Sequence, residues 1–167
     1  MHQFITQKLS QYQPRTLIAD LQTPAAVLVA ITDDKHNPEV ILTRRAQHLP
    51  THKGQIAFPG GKADPDDADL VATALREAYE EVALKPEAVA VVGKMGQVLS
   101  RQGFVVTPVI GVVPAAVVNQ LMPNLGELDR IFTVPLRFFV DTKPQMDALP
   151  LAKGVKQVPS FYYDEFR

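Results

Sequence analysis

The chain of 167 residues has no cysteine, which excludes disulfides, thiolate metal sites and a cysteine nucleophile. It has no tryptophan, and aromatic residues make up 7% of it. Neither sign of charge dominates, with a net charge of −1 and a sequence pI of about 6.4. That balance argues against a broadly basic nucleic-acid surface. The N-terminal stretch MHQFITQKLSQYQP holds no apolar signal core and no small-residue cleavage site, so it reads as a short helix or an arm, and a cytoplasmic protein is expected. Repeats, low-complexity segments and linkers are missing. A charge-free stretch between Gly103 and Glu127 contains the apolar run FVVTPVIGVVPAAVV. A membrane-spanning helix needs about 20 predominantly apolar residues. Pro108, Gly111, Pro114 and Asn119 break this run, and its β-branched content reads as a buried strand followed by a turn.

What is present fits an ordinary globular protein. Apolar residues are 46% and charged residues 21%, close to average usage. The length suits one domain, residues 1–167, with a sizeable core. The 14 prolines predict short elements and firm turns. Ala25–Ile31 is an apolar run of strand length. The turn TDDKHNPE, broken at Asn37-Pro38, leads to a partner strand at Val40–Thr43, a hairpin pattern. Residues 46–57 read as a loop that ends in Phe58-Pro59-Gly60-Gly61. A long helix is expected from about Asp67 to Leu84, with Asp67 or Asp69 as its N-cap. Strands are expected at Ala88–Leu99, Phe104–Val113, Ile131–Val134 and Val158–Phe166. A polar loop should occupy 114–127, and Pro135 should open a short helix. The result is a mixed α/β domain with one dominant helix against a sheet.

That helix carries the unusual pattern. At about 100° per residue, Arg76, Glu77, Glu80 and Glu81 fall within an arc of roughly 140°. Val71, Ala74, Leu75, Ala78, Tyr79 and Val82 take the opposite arc and form a core face. Glu77 lies i,i+3 and i,i+4 from Glu80 and Glu81, and such like-charge pairs cost a few tenths of a kcal/mol each. Glu80 and Glu81 also sit near the helix C-terminus, where the macrodipole disfavours anions. One reading is a solvated acidic face. The other is a divalent-cation site, since hard cations such as Mg²⁺ take carboxylate oxygens and would turn the repulsion into stabilisation. The upstream glycine pair favours the second, because paired glycines let the backbone approach a ligand or metal closely. Arg76 is placed to pair with Glu80 across one turn. The turn DPDDAD lacks the glycine and closing glutamate of a calcium loop.

Gly61 through Leu84 resembles the Nudix box, the Gly–x5–Glu–x7–Arg-Glu-x-x-Glu-Glu-x-Gly pattern of Nudix hydrolases, and its Arg-Glu-x-x-Glu-Glu part matches at every fixed position. The run LTRRAQHLPTHKGQIAFPGG, Leu42–Gly61, resembles the second signature of the coenzyme A pyrophosphatase branch. The likeness extends from about Ala25 to Phe166. Asp67 stands where the box has its first Glu, with one extra residue before Arg76. Ala83 stands where the box has its closing Gly, and Pro50 where the upstream signature usually has Arg. Members of the branch continue past a Phe-Tyr-like strand into a final helix, so the resemblance leads us to expect a domain truncated at its C-terminus.

The resemblance implies an α/β/α sandwich with a mixed central sheet, and Mg²⁺- or Mn²⁺-dependent hydrolysis of the diphosphate of coenzyme A to 3′,5′-ADP and 4′-phosphopantetheine. Metals are needed there because they neutralise the phosphate oxygens and lower the pKa of the attacking water. It implies Glu77, Glu80 and Glu81 as metal ligands, with the Gly61 carbonyl as a backbone ligand and Arg76 orienting Glu80. In NLGELDRIFTVPL, Asn124–Leu136, Glu127 matches a late-loop glutamate and is a candidate base or additional ligand, against the alternative of an exposed loop residue. Glu80 is the other candidate base. Arg44, Arg45 and Lys53 are candidates for phosphate binding, with Gly60 beside them. On a strand, Arg44 and Arg45 point to opposite faces, so at most one is expected to face the site. His48 and His52 have helical i,i+4 spacing, but Pro50 lies between them, which favours a loop or a substrate contact over zinc. Phe161, Tyr162 and Tyr163 are read as core, with adenine stacking as the alternative. Other substrates, such as ADP-ribose, a dinucleotide or a nucleoside triphosphate, and a non-catalytic nucleotide-binding domain are the competing readings. The expected partner is a small molecule rather than nucleic acid or membrane, and a homodimer is an open expectation.

Overall fold

The computed structural model describes residues 2–17, 22–100, 102–151 and 154–164. The chain runs α1 (His2–Ser10), β1 (Thr23–Thr32), β2 (Glu39–Arg45), β3 (Ile56–Ala57), β4 (Gly60–Lys62), α2 (Leu70–Val82), β5 (Ala90–Lys94), β6 (Val98–Leu99), β7 (Phe104–Val113), β8 (Leu128–Pro135), α3 (Leu136–Asp141), β9 (Gln145–Leu151) and β10 (Gly154–Ser160). Short 3₁₀ segments stand at Pro86–Ala88 and Ala115–Gln120.

The sheet is mixed. β1 and β7 run parallel in unbroken register from Thr23↔Phe104 to Thr32↔Val113. The expected β1–β2 hairpin forms, but its register is held at Ile31↔Val40. Beyond that point β2 turns to β8, pairing antiparallel from Glu39↔Pro135 to Arg45↔Leu128 with an irregularity at Arg44/Arg45. The edge of β1 that β2 leaves is taken by β4, with Ala25, Ala26 and Val27 opposite Lys62, Gly61 and Gly60. This short strand was not anticipated, because three residues containing two glycines carry no strand pattern.

Alternation along β1 sorts the core into two faces. Ala26, Leu28 and Ala30 meet Ala74, Ala78 and Val82 of α2, with Ile41, Leu84, Val109, Val113 and Leu128 around them. Alanine on both sides lets the helix axis lie close to the sheet. On the other face Ile31, Val40, Leu42, Ile110 and Val134 pack against Ile5 and Leu9 of α1 and Phe138 and Phe139 of α3. Burying each of the larger aliphatic side chains contributes about 1.5–3 kcal/mol. Helices on both faces of a mixed sheet make the expected α/β/α arrangement. Among the described residues, no helix is long and apolar enough to cross a membrane.

Several elements differ from expectation. α2 starts later than Asp67 because Asp69 is the N-cap, accepting from the Val71 and Ala72 amides at 2.8 and 2.9 Å. Tyr79, expected on the core face, is 53% exposed, whereas Glu81, expected on the polar face, is buried. Both lie at the margins of the apolar arc, and β4 covers the Glu81 margin. The strand expected at Ala88–Leu99 is divided into β5 and β6. Pro108 lies opposite the gap and has no N–H to offer the ladder. Its carbonyl accepts from Met95, while the Gly96 and Gln97 amides are satisfied by the N-terminal arm, through the Tyr12 hydroxyl and the Arg15 carbonyl. The strand expected at Val158–Phe166 is instead β10, which ends at Ser160 and pairs with β9 as a separate two-stranded ribbon. Phe166 lies outside the described residues.

At the end of α2, Ala83 takes the left-handed conformation (φ 56°, ψ 25°). Its amide and that of Leu84 donate back to the Tyr79 and Ala78 carbonyls at 2.9 and 3.3 Å, which is Schellman-type closure. An L-residue in that region costs about 1–2 kcal/mol relative to a right-handed conformation, a penalty that glycine escapes. Ala83→Gly is therefore expected to stabilise the protein by about 1 kcal/mol, read as a higher urea midpoint at unchanged slope. An unchanged or lower midpoint would show that the αL cap is unstrained.

Candidate active site

The polar flank of α2 is met by β4, by the turn before the helix, by the end of β2 and by the 121–127 loop. Each brings one part of a charged cluster. β4 approaches so closely that a Cβ on Gly60 would lie 2.3 Å from the Ala26 carbonyl oxygen, and one on Gly61 would lie 2.5 Å from the Glu77 carboxyl carbon. Only glycine allows both approaches at once. Gly60 then donates its N–H to Glu81 Oε2 at 3.1 Å. The structure thus uses the Gly60 amide on a carboxylate of the protein, and it seats the Glu77 carboxylate against Gly61.

These carboxylates are uncomfortable as anions. Glu81 is 7% exposed. Burial foremost pushes its carboxyl up to about 7, and the charges of Glu77 and Glu127 push the same way, against the Gly60 N–H and Arg45. Glu77 is also raised, again by burial first, with Glu80 and Glu127 adding to it and Arg76 opposing. Glu80 lies further out and is 54% exposed.

Arg76 ties the flank together. Its Nε and Nη2 form a fork on the Asp67 carboxylate at 2.9 and 3.0 Å, and Nη2 also donates to the Lys62 carbonyl at 3.0 Å. Its Nη1 donates to Glu77 Oε1 at 3.0 Å and to Glu80 Oε2 at 3.2 Å. The expected Arg76–Glu80 pair is present, but it is the longest of these contacts. The firm anchor is Asp67, which also accepts from the Asp64 amide and the Thr73 hydroxyl. The Arg76 guanidinium beside it and the Asp64 amide hold the Asp67 carboxyl well below the usual range.

The remaining predicted residues stand in different settings. Arg44 pairs with Asp129 on β8 at 2.7 Å. Arg45, its neighbour, lies close enough to Glu81 to favour that anion, and among the described residues its Nε is buried without a hydrogen-bond partner. Lys53 is exposed on the loop that leaves β2. Glu127 is exposed, yet its charge bears on both Glu77 and Glu81. His48 and His52 lie on a loop and not on a helix. His52 Nε2 is 3.1 Å from Gln102 Nε2, which ties the loop to the turn before β7. Pro50 is exposed on the same loop.

Sequence reasoning missed two features. One is the anchoring of Arg76 by Asp67, for which the alignment of Asp67 with the first acid of the box was a usable signal. The other is a cavity of about 710 Å³, whose wall includes Phe58, Phe132, Phe138, Phe139, Phe161 and Tyr163. Phe161 and Tyr163 do join the core side, as the primary reading expected, by edge-to-face contacts with Phe138 and Phe139 at centroid distances of 5.0–6.1 Å. Tyr162 is 44% exposed.

The donor set fits a hard divalent cation. It is all oxygen, and burial and mutual repulsion raise the Glu77 and Glu81 carboxyls even with Arg76 and Arg45 nearby, so a hard cation would favour their ionised forms. Among the described residues no three acidic or imidazole side chains already converge as a metal-holding group, because Arg76 draws Glu77 and Glu80 to itself.

Comparison with known proteins bears on family and fold. The family model of the NUDIX domain matches residues 22–139. An uncharacterized Nudix hydrolase, NudL, of Yersinia pestis (strain Pestoides F) is 50% identical over 112 residues, 67% of this chain and 55% of that protein. The chain thus spans about half the length of the curated relatives it matches. Among solved structures, a NUDIX hydrolase from Alicyclobacillus acidocaldarius superposes with a TM-score of 0.57 at 24% identity, over 75% of this chain and 83% of that one. The NUDIX domain of Shewanella oneidensis NrtR, complexed with ADP ribose, does so with a TM-score of 0.55 at 20% identity, over 81% of this chain and 85% of that one. These neighbours share the fold.

Two outcomes follow for Asp67→Asn. Weakening charge-assisted bonds to Arg76 should lower stability by about 2 kcal/mol at neutral pH. Because the folded carboxyl is depressed, its contribution is complete above its ordinary range and is lost as the pH falls below about 4. The stability gap between parent and variant, measured by urea denaturation, should therefore narrow on acidification. A gap independent of pH would show that the Asp67 charge is not what anchors Arg76.

Proposed function

The chain belongs to the Nudix family, and on that premise we propose that it is a divalent-metal-dependent hydrolase cleaving the diphosphate of coenzyme A or its thioesters, to give 3′,5′-ADP and 4′-phosphopantetheine or its acyl form. Nudix hydrolases generally use divalent metal ions. The observation that carries the reading is the seating of Glu77 and Glu81 against Gly61 and Gly60. Burial and like charge raise the carboxyls of half-buried Glu77 and buried Glu81 despite Arg76 and Arg45, and a bound cation would favour their ionised forms.

Mg²⁺ or Mn²⁺, when bound, supplies neutralisation of the phosphate oxygens and a more acidic water. Glu77, Glu80 and Glu81, with the Gly61 carbonyl, would hold it. The protein's own residues do the rest. The Gly60 amide fixes one oxygen of Glu81 and leaves the other to coordinate. Asp67 fixes Arg76, which then steadies Glu77 and Glu80 without depending on them. Glu127 takes the proton of the attacking water, with Glu80 as the alternative base. Arg45 and Lys53 meet the substrate's phosphates, while Arg44 is engaged with Asp129. The aromatic cavity begins at Phe58, two residues before Gly60, and offers room for an organic part of the substrate. This reading treats residues 1–167 as one domain working on a small molecule in the cytoplasm.

The coenzyme A assignment rests on the signature at Leu42–Gly61, and Pro50 in place of its arginine favours a second reading. In that reading another nucleoside diphosphate derivative, such as ADP-ribose or a dinucleotide, is hydrolysed. A binding role without turnover is disfavoured by the complete set of Glu77, Glu80 and Glu81.

Incubation of coenzyme A with the protein should yield 3′,5′-ADP with Mg²⁺ or Mn²⁺ and none with chelator. Glu81→Gln should cut turnover by more than roughly 100-fold, since even residues that only orient a metal ligand cost 10–100-fold. Faster cleavage of ADP-ribose or a dinucleotide in the same competition would transfer the assignment to the second reading. Metal-dependent turnover of none of them would overturn hydrolysis.

A further inference from the structure

The loop that carries Glu127 is stapled to the site by its backbone, and one side chain shapes it. The Asn124 N–H donates to the Glu81 carbonyl at 2.8 Å, at the end of α2. The Met122 N–H does the same to the Val82 carbonyl at 3.1 Å. From there the chain folds back on itself. The Asn124 carbonyl accepts from the Glu127 and Leu128 amides at 2.9 and 2.8 Å, and the Asn124 side-chain oxygen accepts from the Gly126 amide at 3.1 Å. At the far side the Glu127 carbonyl accepts from the Ala46 amide at 2.9 Å, one residue beyond Arg45. The turn therefore spans from the end of α2 to the end of β2, and it sets Glu127 where its charge bears on Glu77 and Glu81.

An exposed four-residue turn has little packing to hold its shape. Leu125 is 72% exposed and Met122 67%, so the apolar side chains here do not anchor it. The Glu127 and Leu128 amides close it on the Asn124 carbonyl, and the Asn124 side-chain oxygen braces its tip through the Gly126 amide, in the manner of an Asx turn. We propose that Asn124 is a positioning residue for Glu127: its side-chain amide fixes the turn that presents the glutamate to the water attacking the substrate diphosphate. The inference rests on the assignment of Glu127 as base made above. It adds a residue that touches no reacting atom.

The test is a double-mutant cycle of Asn124→Ala and Glu127→Gln, run with Mg²⁺ on whichever of coenzyme A and ADP-ribose the parent hydrolyses. Failure on coenzyme A alone then bears on the substrate and not on Asn124. Asn124→Ala keeps every backbone bond of the turn, so its melting temperature should stay within a few degrees of the parent. Its kcat should fall about 10-fold or more, a part of the roughly 100- to 10,000-fold that a general base supplies, with KM little changed. Asn124→Ser, which can close the same turn more weakly, should recover much of the loss. In the Glu127→Gln background, Asn124→Ala should cost nothing further. Equal losses in both backgrounds, or a loss carried by KM, would overturn the proposal. So would full activity of Asn124→Ala. Full activity of Glu127→Gln would overturn both this inference and the role of Glu127, whereas an inactive Glu127→Gln with an unaffected Asn124→Ala would remove Asn124 alone.

Discussion

The approach of β4 to β1 is the constraint on which the rest of the site depends. β2 leaves the edge of β1 after Ile31↔Val40, and the vacated backbone has to be hydrogen-bonded by something. β4 does this with Gly60 and Gly61, and the absence of side chains there brings its other surface onto α2. The same contact that completes the sheet therefore buries Glu81 and gives it an amide donor. A residue with a Cβ at Gly60 would separate the strands at the Ala26 carbonyl, and the acidic group would lose its floor. Sheet closure and site geometry are thus one interaction seen from two sides.

The second requirement is electrostatic. A helix flank that carries three glutamates near its C-terminus works against its own dipole and against itself. The fold answers by giving Arg76 a partner outside that group. Because Asp67 takes the Nε–Nη2 edge of the guanidinium, Nη1 is left for Glu77 and Glu80. The arginine is held whether or not those glutamates turn to a cation. An arginine held only by Glu80 would compete with that cation. Arg45 adds its charge near Glu81, and among the described residues its Nε is buried without a hydrogen-bond partner.

Much of this was legible in the sequence where a period or a spacing carried it. Phe104–Val113 was read to its ends, because a charge-free β-branched run bounded by glycine and proline leaves few alternatives. α2 and its acidic face were legible from the 3.6-residue repeat. The boundaries that failed did so for non-local reasons. The break between β5 and β6 depends on Pro108 across the sheet and on Tyr12 and Arg15 about eighty residues away, so nothing within 88–99 announces it. β4 exists because β2 departs, and β9 is visible only as the partner of β10. Within the site, the clustering of the acidic residues was readable but the pairing of each charged side chain was not. The sequence makes Arg44 and Arg45 equivalent, and only the irregularity in β2 and the position of Asp129 separate them.

The N-terminal arm has a consequence for where this molecule can be divided. The family match begins at residue 22, yet the amides of Gly96 and Gln97 find their acceptors on Tyr12 and Arg15, the Leu17 amide donates to the Gln97 side chain, and Leu9 fills the space over Gly93. The segment matched by the family model is therefore shorter than the segment whose contacts complete the sheet margin. A cut at the start of the family match would leave the Gly96 and Gln97 amides without the acceptors that Tyr12 and Arg15 supply.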